Sequence, residues 1–381
     1  MAIERITEDR FMDSLRLSEY AFQYKVPEER METSFKNIKK HQIYGIYEEK
    51  MLAAKFHLIP LTTYVGEQSF KMGGIAGVAT YPEYRRRGYV KELLTYSLET
   101  MKSQGFAVSM LHPFDVTFYR KYGWELFCNR LKTVHQRSDL VMLEPVEGSV
   151  KRYLFETVPL DELKQIYAQY AIQFSGMLVR VDDWWKNVVD DLNIAVYYDV
   201  SEQPLGYILY ESKDNKIMVE EFVPVNFEAR RGLWNFICQH DSMISELEMI
   251  TFENEPLFFA LTKQKTVKRV VSPYFMVRIV DAESFLKEYK FVGNETLKLQ
   301  INDPFAPWNE KTILVRDGIV SVTKETEGAL KLSINALSTA LFGYKRLTEL
   351  FAVGMINGAY SNVEALEKMI PNRQAYMYDF F

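Results

Sequence analysis

The spacing of apolar residues changes period along the chain and predicts strands alternating with helices. Residues 73–80 are small, branched and apolar, as in a buried strand. Beyond Gly88, the residues Tyr89, Val90, Leu93, Leu94, Ser97 and Leu98 recur at helical spacing and predict an amphipathic helix. Around this pair the same reading gives a helix over 10–24 and strands over 42–48, 51–65, 71–80 and 106–112. A short helix within 115–124 is ended by Gly123, and 144–149 has linker composition.

A second mixed segment begins near Val150. It has a helix from Asp161, a Trp-rich stretch at 182–189, and strands in "IAVYYDV" and "PLGYILYE". The tryptophans read either as a recognition patch or as one core and one exposed side chain. At 222–240 the chain echoes its own opening: setting Gly232 against Gly88 pairs Arg230 and Arg231 with Arg86 and Arg87, again between a strand and a helix. Internal duplication and a chance basic match are both open readings of this echo. From about Asp281 the character changes. A helix capped by Asp281 precedes short alternating runs at 297–303, 311–324 (with an Asp-Gly turn) and 330–336. Helical stretches at 338–352 and 362–370 follow, so this last segment reads as a compact α+β domain.

A length of 381 residues suggests two or three domains, and 48% hydrophobic with 25% charged residues is globular. The net charge of −5 argues against a general nucleic-acid binder. Two cysteines, Cys128 and Cys238, do not make a disulfide scaffold or a zinc site, and the five histidines lack metal-ligand spacing. No uncharged run approaches the roughly 20 residues that cross a bilayer. A cytoplasmic protein without membrane, metal or nucleic-acid partner is therefore expected.

The chemistry concentrates between the strand at 73–80 and the helix after Gly88. Arg85, Arg86 and Arg87 stand where a helix begins, although a helix N-terminus already carries partial positive charge and unpaired N–H groups. An anionic ligand resolves the conflict: phosphate oxygens can take the free N–H groups, Gly88 permits close approach, and guanidinium groups reach further phosphates. The alternative is a solvated basic surface.

Here the sequence resembles the GNAT superfamily of acyl-CoA-dependent N-acyltransferases. Its phosphate motif, Gln/Arg-x-x-Gly-x-Gly/Ala, appears as Arg85-x-x-Gly88-x-Val90, with Val90 departing from the small final residue. The stretch "FYRKYGW" (118–124) matches the second signature. The whole chain resembles the enhanced-intracellular-survival (Eis) acetyltransferase family. "VATYPEYRRRGYVK", the downstream "LHPFDVTFYRKYGW" and the terminal Phe381 carry that resemblance. It implies an α+β fold: a GNAT domain over 1–145, a degenerate second GNAT domain over 146–280, and a sterol-carrier-protein-like domain over 281–381.

The resemblance also implies site residues. Val78, Ala79 and Thr80 would lie along the pantetheine arm of acetyl-CoA, and Arg86, Arg87, Gly88, Tyr89, Val90 and Lys91 would surround its pyrophosphate. Phe114 and Asp115 would stand near the thioester. Tyr119 would be the general acid and the α-carboxylate of Phe381 the general base, with no metal. The acceptor would be an amine of a small molecule or of a peptide or protein lysine, and the assembly a hexamer. On the residues alone, Tyr122 rivals Tyr119, and Tyr119 could be core packing. The competing function class is a non-catalytic acyl-CoA or lipid-binding protein. Asp115 and Asp379 are the carboxylates flanking the expected catalytic groups, and aromatic residues at Tyr24 and Phe380 suggest an apolar rather than acidic acceptor pocket.

Overall fold

The structure, a computed structural model, describes residues 2–154 and 157–381. Contacts divide the chain into two compact units. One contains the chain up to Phe127 together with Phe275–Arg373 and Phe380–Phe381; the other contains Cys128–Tyr274 and Gln374–Asp379.

The first stretch forms β1 (Ile3–Arg5), α1 (Phe11–Phe22), α2 (Met31–Ile38), β2 (Gln42–Glu48), β3 (Met51–Val65) and β4 (Gln68–Thr80). It continues with α3 (Tyr89–Ser103), β5 (Val108–Leu111), α4 (Val116–Arg120) and β6 (Glu125–Gln136). The predicted strands at 42–48 and 51–65 coincide with β2 and β3. The strand expected at 106–112 is shorter at both ends. Strands β1 to β4 pair antiparallel in sequence order. The apolar face of α3 buries Leu93, Leu94, Leu98 and Met101 against Phe56, Leu58 and Ile75 of the sheet, while α1 brings Phe11 and Leu17 onto Ile43, Leu52 and Ala79. These two stripes follow from the 3.6-residue period.

Under α1 the sheet carries a buried lysine. Lys55 is fully buried, donates to Ser18 Oγ at 2.8 Å and lies 2.8 Å from His57 Nε2. Among the described residues no carboxylate stands within ion-pair distance of it. Burial lowers its pKa from 10.5 to about 7. Between those two values the unfolded chain holds a proton that the fold rejects, so stability rises with pH across that window. Below about 7 both states are charged and the fold carries the whole penalty of a buried ammonium. Lys55→Met is therefore expected to raise the melting temperature most at pH 7 and below, with the gain shrinking towards alkaline pH; thermal melts across that range check it.

The second stretch runs β7 (Ser149–Tyr153), α5 (Leu160–Ala171), β8 (Phe174–Leu178), α6 (Asp182–Val189), β9 (Asn193–Tyr198) and β10 (Pro204–Lys213). It ends with β11 (Lys216–Pro224), α7 (Phe227–Cys238), β12 (Glu246–Thr251), α8 (Leu257–Ala260) and β13 (Lys268–Ile279). Strands β7, β9, β10, β11, β12 and the Leu131–Gln136 part of β6 lie side by side, with β11–β12 the parallel pair. The Trp-rich stretch is the helix α6: Trp185 is buried, and Trp184 is half-buried with its Nε1 donating to Asp379 at 2.7 Å.

The echo of the basic turn is corrected here. Asn226 caps α7, its side chain accepting from the Ala229 N–H at 2.8 Å, so Arg230–Arg231–Gly232 lie inside the helix rather than before it. Arg230 pairs with Glu255 at 2.6 Å and Arg231 with Glu144 at 3.1 Å. Gly232 answers to packing, since a Cβ there would stand 2.4 Å from the Tyr197 ring. Cys128 and Cys238 are both buried, and burial pushes the Cys238 thiol up to about 12.

The third stretch forms α9 (Ala282–Glu288), β14 (Thr296–Asn302), β15 (Thr312–Arg316), β16 (Ile319–Thr323), β17 (Leu330–Ser333), α10 (Ile334–Leu341), α11 (Leu347–Ala352), β18 (Ile356–Asn357), α12 (Tyr360–Met369) and β19 (Gln374–Ala375). Asp281 caps α9 as expected, accepting from the Ser284 N–H at 3.2 Å. Asp317 and Gly318 both take positive φ, which joins β15 and β16 with the tight-hairpin geometry an Asp-Gly pair favours. The run 330–336 is only half strand, because Ser333 accepts from the Ala336 N–H and starts α10. The helix expected over 338–352 is two helices, interrupted where Gly343 takes φ +80°. The small sheet is ordered β16-β15-β14-β17-β18.

Candidate active site

The site is built on two strands that part company. β4 and β5 pair in parallel only at Met72–Gly74 with Val108–Met110. β4 then runs on to Thr80, paired with β3 alone, and its register steps opposite Lys55 and His57, where Gly77 takes φ +55°. Such a bulge bends a strand away from its neighbour. One backbone edge of β4 beyond Gly74 is thus without a strand partner, an arrangement that can accept an extended, amide-bearing ligand. Thr80 Oγ1 is buried and has no hydrogen-bond partner among the described residues.

The basic turn lies at the end of β4. Pro82–Tyr84 makes one tight turn, Arg85 is extended, Arg86 takes φ +63°, and Gly88 caps α3 at φ +87°. Gly88 is required by that backbone conformation and not by crowding, because a Cβ there would meet open space. The first N–H groups of α3 point out of the helix. Arg85, Arg86 and Arg87 are all exposed, and neither Arg85 nor Arg86 has a carboxylate within ion-pair distance among the described residues. Arg87 lies 5.2 Å from the centre of the Tyr84 ring. The Tyr89 hydroxyl donates to Glu48.

These elements enclose a cleft of about 750 Å³. Of the sequence-predicted residues, Val78, Ala79, Thr80, Arg86, Gly88, Tyr89, Val90, Lys91 and Phe114 line it. Arg87, Asp115, Tyr119 and Phe381 are not among its lining residues. Sequence reasoning left Arg85 out of the site, although it opens the motif, named Tyr122 only as a rival of Tyr119, and missed Phe22 and Phe118. Nothing in the spacing of α1 marks Phe22; the exposure that puts it there, 51%, is a property of the fold. Among the described residues no carboxylate lines the cleft. Val90 is half-buried and packs on the α3 core, so the larger side chain is absorbed there.

Next to the cleft, Asp115 caps α4, its Oδ1 accepting from the Phe118 N–H at 2.7 Å. That cap sets the helix turn on which Tyr119 and, just beyond, Tyr122 are carried. Tyr119 is buried at 4% exposure, edge-on to the rings of Phe114 (5.4 Å) and Phe118 (5.2 Å), and burial raises its phenol pKa. Tyr122 is half-buried, and burial raises its phenol pKa too. At the chain end, the ring of Phe381 packs 5.0 Å from that of Phe275 and lies against Gly74, where a Cβ would be 2.7 Å from it. Gly74 is the last residue of β4 paired with β5, so the terminal residue stands where the strands diverge. Asp379 is not an acidic recognition group: it is 6% exposed, pairs with Arg180 at 2.9 Å and accepts from Trp184.

Comparison with known proteins gives the same succession of parts. Two models described as "Acetyltransferase (GNAT) domain" match residues 2–127 and 176–279, and "Sterol carrier protein domain" matches 282–378. An uncharacterized N-acetyltransferase of Streptomyces avermitilis is 24% identical over 321 residues, 77% of each chain. The N-acetyltransferase Eis of Mycobacterium tuberculosis is 26% identical over 218 residues, 54% of each chain. The chain is a GNAT N-acetyltransferase similar to the Eis proteins. Among solved structures, this N-acetyltransferase matches a probable N-acyltransferase from Enterococcus faecalis with a TM-score of 0.93 and 26% identity, over 100% of this chain and 99% of that one. Eis1 from Mycobacterium abscessus matches over 100% of both chains with a TM-score of 0.84 at 18% identity, a likeness of fold. Tandem GNAT domains followed by a sterol-carrier-like domain are therefore the architecture of this N-acetyltransferase. Among the described residues no helix is long and apolar enough to cross a membrane.

Proposed function

We infer that the cleft binds acetyl-CoA and that an amine is acetylated at its inner end by direct transfer. The observation that carries this reading is the splay of β4 from β5 running straight into a basic helix N-terminus. The residues fit the co-substrate. The unpartnered edge of β4 at Val78, Ala79 and Thr80 suits an amide-bearing arm, and Thr80 brings a hydroxyl in need of a partner. Arg85, Arg86 and the first N–H groups of α3 suit a pyrophosphate. Arg87, turned towards Tyr84, has a secondary part. Acetyl-CoA supplies the activated acetyl group. The chain then has two proton tasks: to take a proton from the incoming ammonium and to give one to the departing thiolate. Tyr119, protonated at neutral pH, is the donor, and the Phe381 carboxylate is the acceptor.

The acceptor is an amine with an apolar or aromatic body, on a small molecule or a peptide. Phe22, Tyr24 and Phe114 are exposed at 51%, 43% and 73%, and Asp115 and Asp379 are engaged in a helix cap and an ion pair. A hexameric assembly and a cytoplasmic setting belong to the same family-based reading. Thiol release from acetyl-CoA tests it across a panel running from arylalkylamines and lysine peptides to polycationic aminosugars. Faster turnover of the polycations would overturn the apolar pocket, and no thiol release with any amine would overturn the enzyme assignment.

Arg86→Ala is expected to weaken acetyl-CoA binding by about ten- to a hundredfold, the loss of one charge-assisted phosphate contact of roughly 1.5–3 kcal/mol. Arg87→Ala should weaken it less. Calorimetric titration of both variants gives the order directly, and equal, unchanged affinities would return the arginines to a solvated surface.

A further inference from the structure

The last turn of a helix leaves carbonyl groups that the helix itself cannot satisfy. At the end of α4 the Tyr119 and Arg120 carbonyls accept locally from the Tyr122 and Gly123 N–H groups, at 3.0 and 3.1 Å, and in the turn that follows, further partners come from far along the sequence. Asn335, in the first turn of α10, donates through Nδ2 to the carbonyls of Arg120 and Trp124, both at 3.0 Å. Arg278, fully buried on β13, donates to the Tyr122 carbonyl. Its other terminal nitrogen makes two 2.7 Å bonds to Asp303, which is 1% exposed and is also held by Asn309 Nδ2 at 2.9 Å. Gly123 makes room for the guanidinium, since a Cβ there would stand 1.4 Å from Nη1.

A five-residue helix has no stability of its own, so its placement must come from what it touches. A buried arginine–carboxylate pair is a poor way to gain stability compared with apolar packing. Its two hydrogen-bonding ends, one on Asp303 and one on the Tyr122 carbonyl, instead define an orientation. We propose that Asn335 and the Arg278–Asp303 pair are positioning residues for the proton-donating step, clamping the end of α4 and so holding the Tyr119 phenol in place. The sterol-carrier-like region thereby serves the acetyl transfer as a brace for the acid-bearing helix. This rests on the reading of Tyr119 as the acid.

Asn335→Ala removes one arm of the clamp at a half-buried position where the fold should survive. Its kcat should fall about tenfold, while the KM for the amine and the acetyl-CoA affinity stay within about threefold. The alkaline limb of the kcat–pH profile should move to lower pH, because a loosened α4 gives the Tyr119 phenol more water and a lower pKa. In a Tyr119→Phe background the same substitution should cost less than about twofold, as expected of two residues acting through one group. Asp303→Asn, which frees the guanidinium, should repeat the pattern. Losses from Asn335→Ala and Tyr119→Phe that multiply, or an unmoved alkaline limb, overturn the clamp; so does unchanged kcat in both Asn335→Ala and Asp303→Asn. Full turnover of Tyr119→Phe alone is the distinct signature of a wrong acid, and it overturns the coupling with it.

Discussion

Adding a single glycine after Phe381 is expected to abolish most acetyl transfer, lowering kcat by about 100-fold or more while acetyl-CoA still binds. The extension keeps the terminal ring against Gly74 and Phe275 but turns the α-carboxylate into a neutral amide. Deleting Phe381 removes both ring and carboxylate and leaves the new terminus short by up to about 3.5 Å. Comparing the two separates charge from packing. If deletion is damaging and extension is not, the ring matters and the carboxylate is not the base. If both collapse together with unchanged cofactor affinity, the charge is essential. An α-carboxyl titrates ordinarily near about 3.5, so its service as a base requires the partly enclosed position that the Phe381 ring secures.

Tyr119→Phe is expected to lower kcat by about 10²–10⁴, the range for loss of a positioned proton donor. The substitution removes one oxygen from a ring packed against Phe114 and Phe118, so cofactor affinity and melting temperature should stay close to those of the parent. Tyr122→Phe is the control. That ring lines the cleft and packs 4.9 Å from Phe305, so its shape is kept and only its hydroxyl goes. Steady-state kinetics with one amine should show Tyr122→Phe near parental turnover. Should Tyr122→Phe be the crippled variant, the acid belongs to Tyr122, the phenol nearer the cleft.

How far the sequence exposes this arrangement depends on the range of the interactions involved. β2, β3 and the helix after Gly88 are legible because a local period specifies each of them. The basic turn is legible because a cluster of arginines at a helix start is electrostatically awkward without a ligand. One failure is local: Arg230–Arg231–Gly232 looks like a second basic turn, but the Asn226 cap starts α7 earlier and moves the pair into the helix. The others are long-range. The fold of 338–352 into two helices turns on Gly343, whose absent Cβ would collide with the Arg373 carbonyl at 2.4 Å, a contact no local window contains. Arg85 lines the cleft and Arg87 does not, a distinction that residue order alone does not reveal. The cap at Asp281, by contrast, spans three residues and is legible as such, while the equally short cap at Asp115 is not read from the sequence.

The two buried cysteines have a bearing at the bench. A thiol-reactive dye meets neither sulfur while the protein is folded, and the high pKa of Cys238 leaves almost none of its thiolate at neutral pH. The dye that counts coenzyme A as it is released therefore reads against a dark background. The same cuvette also monitors the enzyme's integrity: a variant that opens during the assay announces itself by a slow rise in colour before any amine is added, so lost chemistry and lost structure are told apart in one trace.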